Sequence, residues 1–174
     1  MIAVKLPPKV LAKVNQFCVR VHKERTDRDI LNNDDHPGRL IDETIGKIGE
    51  VGVAIHLGLT HLVDMRILPT GKPNFAPDLG DLHVKTCNIN HRNKEYDSWT
   101  VALNDPLGLT PDTHEDVILA YAGLNGYAYI YGSILGAMAL PHWKPCIKEH
   151  MKHKKAIYKT DIDDIVEKIE NRQQ

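Results

Sequence analysis

The 174 residues carry 22 Lys plus Arg against 23 Asp plus Glu, a formal net charge of −1. That length suits one domain with room for a hydrophobic core, and the balance excludes both a strongly basic nucleic-acid coat protein and an acidic disordered tail. Hydrophobic residues at 42% and charged residues at 26% are ordinary for a folded domain, so nucleic-acid binding would need a local basic patch.

The opening MIAVKLPPKV lacks the long apolar run of a signal peptide. Residues 9–24 place Val10, Leu11, Val14, Phe17, Cys18 and Val21 at helical spacing, with Lys and Arg on the other face. NNDDHPG at 32–38 reads as a loop. A second helix is expected from about Leu40 to Leu59, with Ile41, Ile45, Ile48, Ile55 and Leu59 on one stripe. The Pro- and Gly-rich stretch 69–78 feeds a strand over 81–87, and SWTVALN at 98–104 is a second strand. VILAYA and YAYIY are a third and a fourth, joined by a turn at Leu124-Asn125-Gly126. Val117 to Leu140 holds no charged side chain and is long enough to span a bilayer, but its glycines and that turn favour two core strands and no membrane segment. Pro141 to Pro145 is an irregular exit. A final helix is expected over 160–170, capped by Thr160 or Asp161, with Ile162, Ile165, Val166 and Ile169 as its stripe. Two helices, four strands and a helix predict an α+β or mixed α/β layered fold.

The cysteines, Cys18, Cys87 and Cys146, are odd in number and contain no CxxC pair. A disulfide framework or zinc ribbon is therefore not expected, and a reducing, cytoplasmic setting is. The four tyrosines 121, 127, 129 and 131 read as sheet packing, with a base-stacking platform as the lesser alternative.

Two features look chemical. Glu50 is the only charged residue from Ile48 to Val63, histidines aside, and it lies off the main stripe among Val53, Ala54 and Leu57. A carboxylate there costs several kcal/mol unless it is paired or holds a metal. The structural alternative is a Glu at a solvated edge or paired with a Lys. The second feature is PDLGDLHVKT at 77–86. In a strand, Asp81, His83 and Lys85 share one face while Leu82 and Val84 share the other, and Asp78 stands at the entry. Carboxylates beside a Lys suit a divalent ion acting on a phosphate; the alternative is an edge strand with a solvated face.

With Glu50 on a preceding helix, Asp78 at the strand entry and Lys85 after x at Val84, the chain resembles the PD-(D/E)XK nuclease superfamily. More narrowly it is similar to small phage-encoded nuclease-like proteins in GEVGVAIHLGL (49–59), PDLGDLHVKT, Asn104-Asp105, DVILAYAGLNGYAYIYGSILGAMALPHW (116–143) and AIYKTDIDDI (156–165). The resemblance spans roughly residues 40–166. It implies a single domain with a restriction-endonuclease-like core over 39–145, built on a central mixed sheet of four to five strands flanked by helices, with an N-terminal helical extension at 1–38 and a basic segment and helix at 146–174. It implies a metal-dependent nuclease acting in a host-cell cytoplasm, with DNA as the expected substrate and a homodimer open. Glu50 matches the helix-borne acid, Asp78 the aspartate and Lys85 the lysine. His83 stands where the family has Asp or Glu, and Mg²⁺ prefers oxygen. Three outcomes are open: Asp81 supplies the missing carboxylate; His83 ligates and favours Mn²⁺ over Mg²⁺; or the site is inactive and the fold serves as a nucleic-acid-binding or protein-interaction module. Arg92 and Lys94 after the strand, and Lys144, Lys148 and Lys152 near the C-terminus, are the candidate phosphate contacts.

Overall fold

The longest apolar helix organises the molecule. In the computed structural model, which describes residues 1–27, 38–65, 78–94, 97–102, 116–135, 140–142, 144–145 and 154–167, helix α2 runs Arg39–Leu57 and lies on one face of a sheet. Before it come strand β1 (Ile2–Lys5) and helix α1 (Pro8–Asp27). Proline begins α1, where its missing N–H costs nothing. Val14 and Cys18 of α1 pack on Ile45, Ile48 and Val51 of α2. Both expected helices are present, and residues 1–27 are built into the core through this contact and through β1.

The sheet is mixed and four-stranded, in the order β1–β5–β4–β2, with β2 at His83–Asn88, β4 at Asp116–Ala122 and β5 at Tyr127–Leu135. Strand β2 runs parallel to β4 from His83↔Val117 to Asn88↔Ala122. Parallel neighbours need a crossover, and this one contains β3 (Ser98–Ala102). Strands β4 and β5 form the expected antiparallel hairpin, interrupted by a bulge at Leu119/Ala120. Strand β1 pairs antiparallel with β5, Ile2 against Ile130 and Lys5 against Tyr127. This strand has no counterpart in the sequence reading.

A second, antiparallel sheet has the order β3–β7–β6, with β6 at Lys144–Pro145 and β7 at Lys154–Tyr158. The basic stretch after residue 143 therefore includes a strand that its charge concealed. Trp99 and Ile157 from this sheet, with Ile162, meet Cys87, Val117, Leu119, Tyr121 and Ile134 of the first. The sheet is thus covered by α2 on one face and by the second sheet on the other.

The final helix is shorter than expected. Helix α3 covers Lys159–Ile162 only, and its cap residue, Tyr158, makes no side-chain cap hydrogen bond, so neither Thr160 nor Asp161 caps it. The chain then leaves helical geometry because the backbone of Glu167 exchanges two 2.9 Å hydrogen bonds with Ser133 of β5. The stripe still serves: Ile162 is in the core, and Ile165 and Val166 pack against it. Ile169 lies outside the described residues. Among the described residues no helix is long and apolar enough to cross a membrane.

Candidate active site

Val53 and Ala54 of α2 are fully buried against Leu79 and Val84, which turns the adjoining helix flank toward the start of β2. Glu50 is on that flank and only 7% exposed. One turn earlier, Lys47 Nζ donates to Glu50 Oε2 at 2.5 Å. The same ammonium donates to the Asp64 carbonyl at 3.1 Å and lies 5.3 Å from the centre of the Phe17 ring. Lysine pairing, left as the structural alternative for Glu50, is thus present.

The pairing does not neutralise the site. Burial pushes the Glu50 carboxyl up to about 7; Lys47 opposes the rise, and the charges of Asp78 and Asp64 add to it. Lys47, Asp78 and Asp64 are therefore each close enough to act on Glu50.

Asp78 is positioned by a tight turn. Leu79 and Leu82 exchange backbone hydrogen bonds at 3.1 Å in both directions, and Gly80 takes φ 69 between them, a conformation that favours glycine. The turn carries Asp78 back onto β2, where Oδ2 accepts from the Val84 N–H at 2.8 Å. That turn also removes Asp81 from the strand. It is exposed, and β2 begins only at His83. The expectation that Asp81, His83 and Lys85 form one strand face is corrected accordingly: strand alternation does not reach a residue inside a turn.

Along β2 the alternation is regular. Val84 packs with Val53 and Ala54, and a Cβ at Gly49 would lie 2.1 Å from Thr86 Oγ1, so even-numbered residues face α2. Cys87 belongs to the core between the two sheets, which assigns His83 and Lys85 to that opposite face. His83 is buried, at 1% exposure, and Lys85 is half-buried. The structure thus brings together Glu50 and Asp78, with Lys47 and Asp64 beside them, and it sets His83 and Lys85 on the other side of the same strand.

Arg92 and Lys94 are exposed in the loop after β2. This loop is held by Asp97, whose Oδ2 accepts from the Asn93 N–H at 2.6 Å and whose Oδ1 accepts from the Tyr121 hydroxyl at 2.7 Å. Lys144 is exposed but pairs with Asp161 at 2.9 Å. Lys148 and Lys152 lie outside the described residues.

Among the described residues, no group of three or more His, Cys, Asp or Glu side chains has an arrangement that could hold a metal. Mg²⁺ commonly keeps several waters and takes one or two carboxylates plus substrate phosphates, so a site for Mg²⁺ or Mn²⁺ here would rest on two carboxylates. Glu50 and Asp78 would be that pair. Lys47 and Asp64 escaped the sequence reading. The i, i+3 spacing of Lys47 and Glu50 was the available signal for the first; Asp64 had none, since it approaches through a turn in the chain.

Comparison with known proteins adds no assignment: no family model, no curated protein and no solved structure matches the chain.

Proposed function

We propose that this chain is a divalent-metal-dependent nuclease, with Glu50 and Asp78 as the metal-holding carboxylates. The observation that carries the reading is the nearly buried Glu50 carboxyl on the flank of α2 that packs over Val84, the residue to which Asp78 is docked at the start of β2. Mg²⁺ or Mn²⁺ at this place would lower the cost of charge on a phosphodiester and of forming hydroxide from water. The Val84 N–H orients Asp78, and Lys47 orients Glu50 through its ties to Asp64 and Phe17. In this reading exposed Arg92 and Lys94 hold the nucleic-acid backbone, with DNA as the first substrate to test, while Lys85, on the opposite face of β2, is not beside the two carboxylates.

A second reading is a nuclease-fold protein without catalysis that binds nucleic acid or a protein. The buried His83 favours it, because it stands where the family has Asp or Glu. Cleavage of plasmid and single-stranded DNA with Mg²⁺, Mn²⁺ or EDTA separates the two. The nuclease reading expects metal-dependent cleavage that falls at least about a hundredfold in Glu50→Gln and in Asp78→Asn, the scale of losing one transition-state contact. Intact DNA and RNA under every metal condition would leave the binding module.

A further inference from the structure

We propose that the β1 end of the sheet, at Tyr127, Tyr129 and Lys5, binds single-stranded nucleic acid by stacking bases on the two tyrosines. The surface lies on the face opposite α2 and does not depend on Glu50 or Asp78.

The register of β1 on β5 builds it. Ile2 and Val4 pack on the α2 side with Ile130, so Ala3 and Lys5 alternate to the other face, opposite Tyr129 and Tyr127. The second sheet covers the middle of that face: Trp99 stacks on Tyr131 with centroids 5.4 Å apart. Among the described residues cover thins toward β1, where Ala3 and Lys5 are exposed, Tyr127 is half-buried, and Tyr129, also half-buried, packs at the margin of the core between the sheets. The Tyr127 and Tyr129 rings are nearly parallel, 18° apart in plane with centroids separated by 6.0 Å. Lys5 Nζ lies 5.4 Å from the Tyr127 centroid, and Lys159 Nζ lies 5.6 Å from that of Tyr131.

Charge selects the occupant. Strands β1 and β5 contain no Asp or Glu, and among the described residues no carboxylate pairs with Lys5. Lys159 does have one, Asp163 at 2.7 Å, so Lys5 is the cation offered to a ligand. Parallel aromatic faces beside an ammonium suit a flexible polyanion that carries planar rings. A second copy of this surface would instead bring two Lys5 ammonium groups into one interface without an acid between them. A duplex keeps its bases stacked inside and offers only phosphates.

The test is fluorescence anisotropy with a short dye-labelled oligothymidylate, and with a duplex of equal length, in EDTA. Cleavage is then irrelevant, and failure of the nuclease reading is a separate result. Wild type is expected to bind the single strand more tightly than the duplex. Tyr127→Leu and Tyr129→Leu should each weaken it about tenfold, while Tyr127→Phe keeps the ring and the affinity. Lys5→Gln should lower the salt slope by about 0.7, the value for one phosphate contact on a single strand. Unchanged far-ultraviolet circular dichroism in the variants shows that they fold. The proposal is overturned if wild type does not bind the single strand, or if the Leu variants bind as wild type does. It is also overturned if the Leu substitutions abolish a dimer seen by sedimentation while oligothymidylate binding is absent.

Discussion

Glu50 shows how one side chain links stability to pH. Its carboxyl holds a proton up to about 7 in the folded chain, whereas the ordinary value is 4.5. The native state therefore binds more protons than the unfolded one between these values. The resulting stability is fully present below pH 4.5 and is lost as the pH rises through about 7. The size of the change is about 3 kcal/mol, on the rule of 1.36 kcal/mol per unit. Urea unfolding at mildly acidic and mildly alkaline pH should show this fall in wild type and a flatter profile in Glu50→Gln. Tyr121 makes a second prediction at this scale. Burial and the neighbouring Asp97 push its hydroxyl pKa upward, so it stays a donor to Oδ1. Tyr121→Phe removes that donor from a buried acid and should cost ~1–3 kcal/mol by denaturant unfolding.

Close contact between α2 and the sheet explains why a helix rich in glycine is used at all. Glycine in a helix interior costs about 1 kcal/mol relative to alanine, so replacement would ordinarily stabilise. Here a Cβ at Gly52 would lie 2.2 Å from the Ala128 Cβ on β5. Gly52→Ala should therefore destabilise by ~1–3 kcal/mol, as overpacking does, and the double variant Gly52→Ala, Ala128→Gly should recover part of the loss. Denaturant midpoints of the two singles and the double measure this. The same proximity, through Gly49 against Thr86, brings the Glu50 flank down to the entrance of β2. The site thus depends on glycines that carry no chemistry.

For the whole molecule, the candidate site joins segments far apart in sequence: α1 through Phe17, α2 through Lys47 and Glu50, the Asp64 carbonyl and the Asp78 turn. A cation bound there would favour the folded chain and oppose unfolding. In the nuclease reading, Mn²⁺ should raise Tm at mildly alkaline pH by several degrees in wild type and leave Glu50→Gln and Asp78→Asn near their metal-free values. That scale corresponds to about 2.7 kcal/mol at a hundredfold excess over Kd. Differential scanning calorimetry with and without EDTA gives the comparison.

Local pattern was enough for α1, α2, the β4–β5 hairpin and the strand after Asp78, because apolar period and turn residues act within a few positions. It was also enough to mark Glu50, since an isolated charge on an apolar helix is visible without a partner. Pairing was not. IAVK becomes β1 only because β5 offers an edge, and the basic KKAIY becomes β7 only against β3. The end of α3 is decided by the hydrogen bonds of Glu167 to Ser133, which no helical stripe foretells. Asp81 left the strand face because it lies inside the turn that Leu79 and Leu82 close. Lys47 became the partner of Glu50 through burial that arises only when α1, α2 and the sheet are packed together. Periodicity is a property of neighbouring residues, whereas strand partners, buried faces and the charge around an acid are properties of contacts made across the chain.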